Sequence, residues 1–314
     1  MKRSEAFRIA VIDIGTNSTL YLLAEQRGTT VVDLSQAIRT VRLGEKTDGS
    51  GRIGVAPMER VIRVLDGYRG LAQADKADRT VAVGTHVFRK AANRNAVLDS
   101  IRSRTGLGIE VLSERDEAVW GHRGAVHGRL LEEPALTADI GGGSTELVLG
   151  RGGRILRSDS IGIGAVALTE RFLHHDPPTV REISDLKAAI VDAFGARLLP
   201  VATVARQFVA VGGTATTLAA LDLGLTQYDP NRVVGYFLSA AAVENLFSEL
   251  ARLDPAARRQ RLSLDPGRAD IIVAGAAILR AVMASGPFER ALISDRGLRF
   301  GIALRECMEE REIP

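Results

Sequence analysis

The stretch "TADIGGGSTELVLG", Thr137 to Gly150, sets three consecutive glycines between two apolar runs, with Asp139 before them and Glu146 after them. Nearer the N-terminus, "VIDIGTNSTLYLLA", Val11 to Ala24, has the same order: apolar run, Asp-Ile-Gly, small polar residues, apolar run. One copy is compatible with an ordinary tight hairpin. Two copies, early and mid-chain, indicate a chain built twice around one device.

In each copy the Asp closes an apolar run of strand character. Glycine permits positive φ and carries no Cβ, so backbone N–H groups can meet a ligand at close range. A hairpin turn needs one or two glycines; three followed by Ser-Thr suit a phosphate better. Gly141, Gly142, Gly143, Ser144 and Thr145 are therefore expected to bind phosphate, and Gly15, Thr16, Asn17 and Ser18 to do the same with fewer glycines. A carboxylate beside a phosphate repels it unless a cation lies between them. Asp139 and Glu146 thus imply a hard, oxygen-liking metal, most simply Mg²⁺, which Asp13 joins by the symmetry of the turns. The alternatives are a turn-capping Asp139 and a Glu146 that faces solvent.

The chain has 314 residues, 46% hydrophobic and 25% charged, which suits two soluble domains. Its opening, "MKRSEAFRIAVIDIG", is charged, and its apolar run is short and broken by Asp13. That is neither signal peptide nor membrane span, so a cytoplasmic protein is expected. The single cysteine, Cys307, excludes an internal disulfide framework and is expected to pack in a core. A net charge of +3 gives no field for nucleic acid or membrane. Any polyanion must be held by local clusters: Arg39, Arg42 and Lys46; Arg89, Lys90 and Arg94; or Arg258, Arg259 and Arg261. The last, in loop-like "PAARRQRLSLDPGR", reads as a solvated face.

"FRIAVIDI", "STLYLLAE" and "TVVDLS" read as a meander of strands, followed by a helix from Pro57, a strand at "RTVAVGT", a helix closed by Gly106, a strand at "GIEVLS" and a helix from Ser113. After "EEP" the meander restarts with "LTADIG", "STELVLG" and "RILRSDSIG". Long helices around 183–199 follow, then "RQFVAVGG", an apolar helix at "ADIIVAGAAILRAVMASG", and a closing strand, turn and helix. The expected domains are 1–133 and 134–314, with the last helix returning to the first.

Two Asp-Ile-Gly hairpins resemble the actin, sugar-kinase and heat-shock ATPase superfamily. Within it, "DIGTNS", "DIGGGSTE", "VGTHVFRKA", "RADIIVAGAAIL" and "SDRGLRFG", in this order, resemble the exopolyphosphatase / guanosine pentaphosphate phosphohydrolase family in its short two-domain form. The resemblance implies an α/β fold of two actin-like (ribonuclease H-like) lobes with a cleft between them.

"LSERDEAVWG" bears on whether such a fold hydrolyses or transfers phosphate. Ser113 suits an N-cap, with Asp116 three residues on, and Glu117 falls in the first turn, where the helix N-terminus favours its ionised form. On its own Glu117 reads first as an acid placed for the helix dipole. The family carries its catalytic base in a Glu-Glu-Ala motif, which this chain has as Asp-Glu-Ala; the resemblance therefore makes Glu117 the catalytic residue. It also implies that Arg89 holds the terminal phosphate, that Arg42 binds further along the chain, and that Thr85 lines the same loop as His86. Gly212, Gly213 and Thr214 of "VGGTATT" match the family's second Gly-rich loop; otherwise Thr214 is a helix cap. Phe300 stands where an acidic or small residue is usual.

The implied function is Mg²⁺-dependent release of terminal orthophosphate from inorganic polyphosphate, with a preference for short chains. The alternatives are hydrolysis of the 5′ γ-phosphate of guanosine pentaphosphate, a regulator that binds guanosine tetraphosphate without catalysis, and a sugar kinase, for which the chain offers no readable sugar site. A homodimer is compatible with the sequence.

Overall fold

The computed structural model describes residues 7–28, 30–45, 51–129, 131 and 133–309. Lys46 of the first basic cluster and Glu132 lie outside the described residues. The chain forms two compact units, one of Met1–Gly128 with Leu298–Pro314, the other of Arg129–Gly297.

The first unit runs β1 (Arg8–Ile14), β2 (Ser18–Arg27), β3 (Thr30–Thr40), α1 (Val55–Ala74), β4 (Arg79–Gly84), α2 (His86–Lys90), α3 (Arg94–Thr105), β5 (Ile109–Val111) and α4 (Glu114–Val126). The first three strands form an antiparallel meander, and β4 and β5 extend the sheet in parallel from β1. The order among the described residues is β3-β2-β1-β4-β5. β1 is apolar from Ile9 to Ile12 because both of its faces are covered there. Ala10, Ile12 and Ile14 pack with Leu65 and Tyr68 of α1 and Ile101 of α3. Ile9 and Val11 point into a second core on the opposite face. α3 ends where Gly106 takes φ 73°, a left-handed cap that costs glycine little. His86 does not lie in a loop: it opens α2, a helix too short to leave a periodic signal.

The second unit runs β6 (Ala135–Ile140), β7 (Thr145–Arg151), β8 (Arg154–Ile161), α5 (Ala165–Phe172), α6 (Val180–Ala202), β9 (Gln207–Val211), α7 (Gly213–Asp222), α8 (Pro230–Val233), β10 (Phe237–Ser239), α9 (Ala240–Arg252), α10 (Pro255–Arg261), α11 (Ile272–Ala284) and β11 (Arg290–Ser294). Its sheet has the order β10-β11-β9-β6-β7-β8 among the described residues. Without the edge strand β10, this is the first sheet again: an antiparallel meander, then two strands parallel to its first member. α11 is apolar on nearly every side because it is buried on nearly every side. α6 is not one regular helix, since Gly195 breaks it at φ 42°, ψ −133°.

The run Arg258–Arg261 is a helix, not a loop, and Arg258 is not a solvated charge. Its side chain is 2% exposed and paired with Asp176 at 2.8 Å. Nε donates to Leu250 O (2.8 Å), Nη1 to Ala269 O (3.2 Å) and Nη2 to Leu253 O (2.7 Å). Arg258 thus satisfies two carbonyls at the end of α9 and that of Ala269, just before α11. Arg258→Met is expected to leave them and Asp176 without their donor. Because unpaired buried polar groups keep their full desolvation cost, the loss should be about 3–5 kcal/mol. Urea unfolding checks this; a change below about 1 kcal/mol, the usual worth of an exposed pair, would contradict it.

The final helix, α12 (Leu298–Glu309), belongs to the first unit. Leu298, Phe300, Ile302, Ala303 and Cys307 pack with Ile9, Val11, Leu22 and Val83. Phe300, unusual for its motif, is a core residue at 1% exposure. Cys307 is buried and forms no disulfide. No described helix is long and apolar enough to cross a membrane.

Candidate active site

Both Asp-Ile-Gly turns are hairpins of the same construction. Gly15 N donates to Ser18 O and Gly141 N to Ser144 O, each at 3.0 Å. None of Gly15, Gly141, Gly142 and Gly143 has positive φ, so conformational freedom is not why glycine is needed here. Close approach is the reason at Gly15 and Gly141, where a Cβ would come within 3.2 Å of Ser18 O and 3.1 Å of Ser144 O, and at the glycines that pack against the turns. A Cβ on Gly164 would strike the Gly142–Gly143 backbone, and one on Gly44 would strike Thr16. The carbonyls of both turns face into the protein: Gly141 O and Gly142 O accept from Ala165, Val166 and Ala167 at the start of α5. Asn17 O accepts from Val41 and Arg42, and Thr16 O from Gly44. Among the described residues the amides of Gly142 and Gly143 have no acceptor. Satisfied carbonyls and unspent successive amides are what an anion-binding nest requires.

Parallel strands place the other groups. In the first unit, the carboxyl ends of β1, β4 and β5 lead into Gly15–Ser18, into Thr85–Arg89 and into α4 with Glu117. In the second, β6, β9 and β11 lead into Gly141–Ser144, Gly212–Thr214 and the Asp295–Gly297 turn. The carboxyl ends of parallel strands are where open α/β sheets bind ligands.

Ser113 caps α4 as expected: its Oγ accepts from Asp116 N at 3.1 Å and donates to Asp116 Oδ2 at 2.7 Å. One residue on, Glu117 Oε2 accepts from Arg89 Nη1 at 2.5 Å, with side chains 13% and 14% exposed. Arg89 Nη1 also donates to Leu112 O at 3.1 Å. Nε and Nη2 of Arg89 are buried and have no acceptor among the described residues. Two buried donors of a fixed cation are thus left for an anion. Burial raises the Glu117 carboxyl above its ordinary range, against the opposing pull of Arg89, and Glu114 adds to the rise. This reverses the direction expected from the helix dipole. Burial also holds His86 down at about 4, with Arg89 and Lys90 adding to the effect. His86 is therefore neutral at neutral pH and supplies no charge for a phosphate.

Asp139 and Glu146 are cross-strand partners on β6 and β7 and so share one face of the sheet. Glu146 is buried and accepts from Ser160 Oγ at 2.9 Å, so it does not face solvent. Asp139 lies against glycine backbone: a Cβ on Gly212 would come within 2.9 Å of Oδ1 and one on Gly297 within 3.4 Å of Oδ2. Asp13 holds the equivalent place in the first hairpin, opposite Leu20 rather than an acid. Among the described residues no three His, Cys, Asp or Glu form a metal cluster. Two carboxylates with hard oxygens still fit Mg²⁺, which commonly takes one or two carboxylates and completes its shell with water and substrate phosphate.

Some expected groups serve the fold. Thr145 is fully buried and its hydroxyl donates to Ile163 O at 2.7 Å. Thr214 is not a cap: Gly212 caps α7, at φ 92°, and Thr214 packs against Gly275 of α11. One residue escaped sequence reasoning. The Arg268 guanidinium lies directly over Gly213, where any Cβ would collide with it, while its Nε is held by Asp265 at 2.5 Å. Its only sequence signal is its place at the head of "RADIIVAGAAIL".

The sequence profile of the Ppx/GppA phosphatase family matches residues 22–310. The chain belongs to the Ppx/GppA phosphatase family. Exopolyphosphatase 2 of Mycobacterium tuberculosis is 34% identical over 95% of this chain and 98% of its own length. Exopolyphosphatase 1 of the same organism is 30% identical over 97% and 90%. The crystal structure of the Aquifex aeolicus Ppx/GppA family member superposes with a TM-score of 0.83 at 30% identity, covering 98% of this chain and 99% of that one. The two repeated sheets are accordingly the actin-like α/β fold, and this Ppx/GppA protein is an enzyme, a hydrolase of phosphoric anhydrides.

Proposed function

We propose that this Ppx/GppA phosphatase is an exopolyphosphatase that removes terminal orthophosphate from inorganic polyphosphate, with Glu117 as general base. The observation that carries the reading is the Arg89–Glu117 pair: a buried cation with two unspent donors, joined to a carboxylate of raised proton affinity. Arg89 Nε–H and Nη2–H bind oxygens of the terminal phosphate. Glu117 takes the proton of a water molecule as its oxygen bonds to that phosphorus. The bridging P–O bond breaks, and the shortened chain leaves with the bond's electrons. The Gly15–Ser18 turn, and in the second unit Gly141–Ser144 and the amides at the start of α7, bind phosphate oxygens through backbone N–H groups. Asp139 and Glu146 would hold Mg²⁺, which when bound neutralises phosphate charge.

The test is orthophosphate release from polyphosphate with Mg²⁺ and with excess chelator, guanosine pentaphosphate being assayed in parallel. Release from polyphosphate that stops with chelator is expected. Release from guanosine pentaphosphate alone, or transfer of phosphate from ATP to a sugar instead of hydrolysis, would overturn the reading.

A further inference from the structure

We propose that the first unit holds a second anion site, apart from the Arg89–Glu117 pair, for an organic diphosphate of nucleotide size. Where the end of β3 meets α1 there is an open pocket of about 490 Å³, within the size range of small-molecule sites. Arg39, Arg60 and Arg63 line it, and no carboxylate does. Arg39 and Arg63 retain capacity for an anion. Arg39 Nη1 is turned to the neighbouring Ile38 O. The carboxylate that feels the charge of Arg63, Glu59, is already bridged by Arg104. Arg60 is shared among Val41 O (2.8 Å), Arg42 O (3.3 Å) and Glu45 Oε2 (2.7 Å).

The remaining wall is apolar and fixes the ligand class. Val64, Tyr68 and Leu71 supply it, and Leu71 is 42% exposed beside the arginines. An inorganic chain would use the guanidinium groups and leave this wall in water. A diphosphate that carries a flat organic group would use both, with its phosphates on the forked donors and its ring on Leu71 and Val64.

The pocket also adjoins the phosphate machinery, and this part of the inference rests on the proposed function. Arg42 sits at φ 49°, an uncommon conformation for a side-chain-bearing residue. Arg60 holds it by its carbonyl, while the Val41 and Arg42 amides donate to Asn17 O and the Gly44 amide to Thr16 O. A ligand that draws Arg60 into the pocket therefore acts on the Gly15–Ser18 turn through adjoining hydrogen bonds.

The experiment is calorimetric titration of the full chain with ADP as the probe. The parent and Arg89→Ala should share one ADP site. The double variant Arg39→Glu/Arg63→Glu, two exposed positions, should bind it at least ten-fold more weakly, with an unchanged unfolding midpoint. Pyrophosphate should bind the parent's site at least ten-fold more weakly than ADP. Binding lost in Arg89→Ala but kept in the double variant would overturn the site, and equal affinity for pyrophosphate would overturn the organic class. These readings stand whether or not polyphosphate is the substrate. For the coupling, ADP should shift the KM for polyphosphate several-fold in the parent and not in the double variant; a parent KM that does not move with ADP bound would overturn it.

Discussion

Glu117→Gln is expected to lower kcat for phosphate release by about 10²–10⁴-fold, the usual worth of a general base. The replacement is nearly isosteric and keeps an oxygen for Arg89 Nη1, so the geometry of the pair survives. What it removes is the ability to take a proton. KM should change little, since the Arg89 donors that remain for phosphate, Nε and Nη2, are not those that Glu117 uses. Such a split, with kcat lost and KM kept, marks a group that acts in the transition state. A pH profile adds an independent check. A base must be ionised, and burial raises the proton affinity of Glu117. The acid limb of kcat/KM in the parent should therefore lie above the ordinary glutamate range, and the Gln variant should lack that limb. A Gln variant within three-fold of parent kcat would remove Glu117 from the role of base.

The fold was legible because it rests on patterns that repeat. β1 and β6 are mostly apolar, as strands covered on both faces are. Each ends in Asp-Ile-Gly, which fixes both the register and the duplication. The site was legible where backbone geometry demands a residue type, as at Gly141 and Gly212. It was less legible where side chains choose between neighbours. Nothing local tells that the Thr145 hydroxyl goes to Ile163, or that Glu117 meets Arg89, since both contacts join residues far apart in sequence. Arg258 was hidden for another reason, since its partners are main-chain carbonyls, which carry no sequence signal, and the meaning of Arg268 depends on the absent Cβ of Gly213. The direction of the Glu117 shift was missed for a related reason. A helix N-terminus is visible in sequence, whereas burial of the carboxyl is created by packing.

That packing leads to the second large effect. Gly301→Ala is expected to disrupt the first unit and, with it, catalysis. A Cβ at this position would fall inside the Trp120 carbonyl, with the Trp120 carbonyl carbon and Cα close behind. All three are backbone atoms, so no rotamer change relieves the clash and α4 must move away from α12. Overpacking of this kind costs about 1–3 kcal/mol when side chains can yield, and this contact belongs at or beyond the upper end. α4 also carries Glu117 one turn before Trp120. A displacement of about 1 Å in the base can cost about 10²-fold in rate, so activity should fall even in molecules that remain folded. The chain has one tryptophan, Trp120, at the contact itself. Its fluorescence therefore reports the shift directly, and its stacking on Arg123, 4.7 Å from the ring centroid, should be perturbed with it. Gly70→Ala is the matched control. It lies on α1 with nothing near its missing Cβ, and a helical Gly→Ala change in open space should stabilise by about 0.5–1 kcal/mol. If Gly301→Ala matched that control in stability, tryptophan emission and kcat, α12 would not be what holds the catalytic helix in place.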